Sequence, residues 1–189
     1  MQNEKTRKIA TLGILTAIVV VLQLLGSFIR FGQFSISLVL IPIVVGATLY
    51  GPFAGAWLGF VFSMVVLLSG DAAPFLAVSV FGTILTVLIK GTAAGFFSGL
   101  VYRFFDGKKT LSAVLSAIVC PVCNTGIFLL GCVLFFMPTI SEWANAFGFS
   151  SVGAYMLLGL VGGNFLFEVL TNVILSPVIV RVISMGKNR

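Results

Sequence analysis

Apolar residues run through the chain in long blocks, separated by short stretches of glycine, proline and polar residues. An α-helix needs about 20 mostly apolar residues to cross the hydrocarbon of a bilayer. Taking the breaks as connections yields six runs, at 9–28, 37–50, 52–70, 75–103, 110–137 and 153–184. The second run is short and contains Pro42, and the "YGPFAG" stretch after it predicts a tight hairpin turning at Gly51 and Pro52. The first run follows Lys5, Arg7 and Lys8, as a signal peptide would. It is long, however, and no small-residue cleavage site follows in a polar context, so it is expected to remain as a helix. The pattern predicts an all-α integral membrane protein with six transmembrane helices in one domain over 1–189.

Composition supports this reading. Hydrophobic residues make up 59% of the chain and charged residues 8%, with 19 Phe and no His; soluble domains average roughly a quarter charged residues. The formal net charge of +6 is spread in short groups, which argues against a nucleic-acid surface. Nine of the 11 basic residues fall on one side of a six-span arrangement: Lys5, Arg7, Lys8, Arg103, Lys108, Lys109, Arg181, Lys187 and Arg189. The positive-inside rule puts that side, and both termini, in the cytoplasm. The opposite face then receives three connections, "SFIRFGQFSIS" (27–37), "SGDAAPF" (69–75) and "MPTISEWANAFGFSS" (137–151). These serve either as a lid over an outward-facing pocket or as interfacial anchors through Phe and Trp143.

Small residues recur at helical spacing. Gly51, Gly55 and Gly59 open the third helix, Gly91, Gly95 and Gly99 occupy the fourth, and Gly13 and Ala17 repeat the step in the first. Such faces let a second helix approach closely, within the bundle or from a separate membrane subunit. Cys120, Cys123 and Cys132 lie in one apolar run. Without His or a second Cys pair they read as buried thiols, and neither a metal site nor a cofactor is expected.

A charge at mid-bilayer costs at least about 2.5–3.5 kcal/mol on insertion scales, so intramembrane polar residues face the bundle interior. Lys90 lies 15 residues from Phe75, Glu168 lies 15 from Gly153, and Asn124 lies 13 from Met137. At about 1.5 Å per residue, the three reach a similar depth on three helices. Asn164, Glu168 and Asn172 follow at i, i+4 and i+8 and form one stripe. Two readings stay open. A Lys90–Glu168 pair flanked by amides ties helices together, or the same groups form the floor of a pocket for a small polar molecule. "CPVCNTGIF" adds Pro121 beside Asn124, a site for a broken helix or a plain kink.

No G-x-x-x-x-G-K-[ST] loop is present, so the chain does not power transport with ATP by itself. No H-E-x-x-H motif, Ser/His set or metal-ligand cluster appears, and no enzyme is expected.

The ordered segments "LVLIPIVVGATLYGPFAGAWLGF", "LIKGTAAGFFSGLVYR", "CPVCNTGIF" and "NFLFEVLTNVILSPVIV" resemble the substrate-binding S component of energy-coupling-factor (ECF) vitamin transporters, over nearly the whole chain. The resemblance implies a protein of the bacterial cell membrane that captures a vitamin or precursor outside. It would then act with a transmembrane scaffold subunit and two cytoplasmic ATPases. By the same likeness, the pocket maps onto Asn124, Asn164, Glu168 and Lys90, with Arg30, Gln33, Asp71 and Trp143 as loop candidates and Asn172 as support beneath. The scaffold-docking positions map onto Gly13 and Ala17, with Gly where Ala is more usual. The second helix opens "FSISLVLIPIVVG", without the Asp-rich start of riboflavin S components, and resembles the pantothenate branch. Arg30 or Lys90 would answer the ligand's carboxylate. Pantothenate is therefore the first expectation, ahead of folate, riboflavin and biotin. The rival classes are a stand-alone ion-coupled secondary transporter, which commonly has paired repeats and broken helices, and a membrane scaffold that binds no substrate.

Overall fold

The computed structural model describes residues 2–28, 30–31, 34–35, 38–105 and 109–187. Its elements are α1 (Gln2–Phe28), a two-residue antiparallel ladder of β1 (Arg30–Phe31) and β2 (Phe34–Ser35), α2 (Leu40–Tyr50), α3 (Pro52–Leu68), α4 (Ala73–Leu76), α5 (Val80–Phe104), α6 (Lys109–Phe135), α7 (Met137–Ala146), α8 (Val152–Ala154), a π-helical stretch (Tyr155–Leu160) and α9 (Gly162–Lys187).

Three helical segments are long and apolar enough to cross a membrane: Lys5–Ser27, Val80–Phe104 and Thr110–Phe135. A fourth candidate is broken, with Val152–Leu160 and Gly162–Val178 bent by 43°. Leu40–Tyr50 and Pro52–Leu68 are apolar but shorter. The brevity of α2 has a physical counterpart in its burial, because every residue from Leu40 to Thr48 is buried. A helix that is apolar all round and enclosed by protein need not match the thickness of lipid.

The α2–α3 turn is made by Gly51 at φ +92°, followed by Pro52 at the start of α3. That backbone conformation suits glycine, and proline costs little where the first helical N–H has no partner. The fourth run, expected to be continuous from 75, is split. Ser79 adopts an extended conformation and its Oγ accepts from the Gly82 N–H at 3.1 Å, starting α5 afresh. The connection at 137–151 is also largely helical, since Pro138 lies in the first turn of α7. Pro121, read as either a broken helix or a plain kink, sits inside an uninterrupted α6. The interruption falls in the last run, at Val161, whose backbone leaves the helical region (φ −128°, ψ −18°).

The glycine stripes of α3 and α5 face one another. A Cβ at Gly55 would collide with the Gly95 carbonyl, and one at Gly59 with the Gly91 carbonyl. Ser63 Oγ reinforces the contact by donating to the Val87 carbonyl at 2.6 Å. On the next pair, Ser98 and Ser116 are fully buried and their hydroxyl oxygens lie 2.7 Å apart, joining α5 to α6. Buried apolar residues form two clusters, one around Leu40, Ile43, Leu58 and Phe62, the other around Phe136, Ile140, Tyr155 and Leu160.

Candidate functional site

A cavity of about 510 Å³ lies between the two clusters, with Phe62, Val66 and Val87 of the first on its wall and Phe136 and Leu160 of the second. It brings together Lys90 from α5, Asn124 from α6, Asn164 and Glu168 from α9, Asp71 from the α3–α4 connection and Trp143 from α7. Of the residues read from sequence, these six share one site. Gln33 and the side chain of Arg30 lie outside the described residues. Asn172 does not line the cavity and is fully buried.

Each polar group is held by its own element. Asn164, one turn before Glu168 on α9, donates through Nδ2 to Glu168 Oε1 at 3.0 Å. One turn further on, Asn172 Nδ2 donates to the Glu168 carbonyl at 2.8 Å. The i, i+4 and i+8 spacing thus works as a ladder that fixes Glu168, which is 2% exposed. Among the described residues Glu168 Oε2 has no protein partner, and neither do the side-chain oxygens Asn164 Oδ1, Asn124 Oδ1 and Thr86 Oγ1.

Lys90 does not close on Glu168 as the matched depths suggested. Among the described residues it makes neither a hydrogen bond to Glu168 nor an ion pair with it within 4.0 Å. Its ammonium instead lies 5.2 Å from the centre of the Phe128 ring and 5.7 Å from that of Phe62. The quadrupole of an aromatic face attracts a cation and so replaces part of its lost hydration. Depth along two helices fixes only one coordinate, and the rotation of each helix about its axis sets the others.

Asp71 is met from α1. Gln23, 4% exposed, donates through Nε2 to Asp71 Oδ2 at 2.8 Å and lines the same cavity. Sequence reasoning passed over Gln23 although the signal was present: it is the one amide in the apolar block "AIVVVLQLLG". An aromatic group covers this end. Phe75 meets Phe128, Phe136 and Trp143 edge to face, with centroids 5.1–5.5 Å apart. Such contacts stabilise by about 0.5–1.5 kcal/mol each beyond area burial. The result is a space in the size range of small-molecule pockets with, among the described residues, one ammonium, two carboxyl groups, amides and hydroxyls on an aromatic frame. These are the ingredients of a binding site for a small polar molecule.

Away from the cavity, Gly13 and Ala17 are exposed on α1, and a Cβ at Gly13 would meet nothing within 4 Å. The three cysteines are free thiols; Cys120 and Cys132 are buried and Cys123 partly so. Among the described residues no group of three or more His, Cys, Asp or Glu could hold a metal ion.

Residues 7–183 match the family described as "ECF transporter, substrate-specific component". The chain is also 27% identical, over 203 aligned residues, to the pantothenic acid transporter PanT of Lactococcus lactis subsp. cremoris (strain MG1363), covering 100% of this chain and 99% of that protein. No solved structure matches it significantly.

Proposed function

Because the chain belongs to the substrate-specific component family of ECF transporters, multi-pass proteins of the bacterial plasma membrane that transport rather than catalyse, we propose that it captures pantothenate outside the cell and passes it inward with an ECF scaffold subunit and two ATPases. The observation that carries the reading is the ammonium of Lys90 on the wall of a cavity otherwise rich in amides, hydroxyls and aromatic rings. Pantothenate carries one carboxylate for such a cation, hydroxyl and amide groups for the Asn and Thr side chains, and a dimethyl group for the phenyl faces. Full-length similarity to a pantothenic acid transporter supports the same choice.

In this proposal the apolar helices make six crossings with both termini in the cytoplasm, on the side of the basic residues. With 11 residues, α2 is only about 16 Å long and crosses enclosed by its neighbours. The cavity then opens outward, beneath α4 and α7. The exposed small residues Gly13 and Ala17 form the face on which the scaffold subunit docks.

The test is titration calorimetry of the detergent-purified chain against a vitamin panel, followed by uptake into liposomes. Pantothenate binding near one-to-one, with uptake only when scaffold, ATPases and ATP are added, is the expected result. Preference for folate, riboflavin or biotin would overturn the substrate. Uptake by this chain alone, driven by a proton or sodium gradient, would overturn the class of transporter.

A further inference from the structure

The polar wall of the cavity has hydrogen-bonding capacity that the protein does not use. Among the described residues, four buried side-chain oxygens lack a protein partner: Thr86 Oγ1, Asn124 Oδ1, Asn164 Oδ1 and Glu168 Oε2. All four residues line the cavity. Buried polar atoms are normally satisfied, so a group of orphans around one space marks what the space is shaped to receive. The sign of the deficit can be read off. In its ionised form Glu168 only accepts, and the orientation of Asn164 is set by its Nδ2 donating to Glu168 Oε1 at 3.0 Å. Turning that amide would face two acceptors, so Asn164 Oδ1 is an acceptor as well. The Glu168 end of the cavity therefore lacks donors.

The cation of the wall does not meet Glu168 Oε2. Lys90 is the one cation among the described lining residues, and it is seated on two phenyl rings rather than on Glu168. Asp71 adds a second carboxyl group to the wall. We infer that Glu168, steadied by Asn164 and with one oxygen to spare, reads a donor hydroxyl of the ligand and makes the site select a hydroxylated monoanion over its phosphorylated form. This rests on the pantothenate reading and deepens it: the carboxylate goes to Lys90 and the hydroxyl end to Glu168. Phosphorylating the terminal hydroxyl removes the donor and sets a multiply charged anion beside a carboxylate, with no further cation among the described lining residues to receive it.

Titration calorimetry of the full chain with three probes tests the assignment. The probes are pantothenate, the alcohol in which its carboxylate is replaced by a hydroxymethyl group, and pantothenate phosphorylated on its terminal hydroxyl. In the unaltered protein the phosphorylated probe should bind at least about a hundredfold more weakly than pantothenate, the scale of juxtaposed like charges. Glu168→Gln, which keeps the shape and the bond from Asn164, should weaken pantothenate by about tenfold and narrow that gap. Lys90→Met should narrow the gap between pantothenate and the alcohol and leave the phosphate discrimination in place. Binding of the phosphorylated probe within about threefold of pantothenate would overturn the inference while leaving the pantothenate reading intact. An unchanged gap in Glu168→Gln would do the same. The comparison of probes on the unaltered protein needs no variant to fold. Failure of pantothenate to bind at all would remove the substrate reading, and this inference with it.

Discussion

Lys90 keeps an ammonium inside an apolar helix by resting it on Phe62 and Phe128, an arrangement that stabilises by about 0.5–2 kcal/mol. Its stem packs like that of a methionine. Lys90→Met should therefore shift the melting temperature by only a few degrees and weaken pantothenate binding at least about tenfold, as fluorimetry and calorimetry will read. A Lys90 variant that fails to fold would show the residue to be a strut and not a contact. Gln23 answers for the position of Asp71 in a similar way. Gln23→Leu deletes one hydrogen bond to a carboxylate, worth about 1.5–3 kcal/mol, and should weaken ligand binding about tenfold. Wild-type affinity in this variant would show that the contact does not position Asp71 for the ligand. Polar residues at this scale were legible because each interrupts an apolar block at depth, as Lys90, Asn124, Asn164 and Glu168 do. Thr86 was not, because a helical threonine commonly bonds a carbonyl of its own turn. Only the structure shows that its hydroxyl has no partner among the described residues.

Among the elements, α3 and α5 meet backbone to backbone. Gly59→Leu puts four carbons where the Gly91 carbonyl already stands and should cost at least about 1–3 kcal/mol, read as a lowered melting temperature or lost expression. Gly13→Leu, on an open face, should leave melting unchanged and stop co-purification with the scaffold subunit. Normal co-purification of a folded Gly13→Leu chain would remove α1 from the docking face. The hairpin at Gly51 and Pro52 was legible, since few other dipeptides serve a turn between two apolar helices. The break in the last helix was not. It occurs at Val161 after a π-helical stretch, with no proline at the break, whereas Pro121 and Pro177 lie inside continuous helices. A proline forfeits one backbone bond, which neighbouring helices can tolerate. A π turn follows from tertiary packing that no local pattern announces.

For the molecule as a whole, hydropathy located the apolar blocks but not their roles. It assigned a crossing both to α1, which shows much of its surface, and to the shorter α2, which shows almost none. Tags at the two termini should both be protected from protease in right-side-out vesicles and cleaved in inverted ones. A tag cleaved from outside would break the six-crossing arrangement. The seam between α3 and α5 carries one more consequence, and it is mechanical. Helices whose carbonyls meet where a methyl group would not fit can neither roll nor slide past one another without collision. The pair is a keel. Whatever motion admits or releases a vitamin has to be borne by the parts that do not meet it backbone to backbone: α1, which among the described residues reaches it through side chains such as Gln23 to Asp71 and Thr16 to Trp57, and the last helix, with its elbow of 43°.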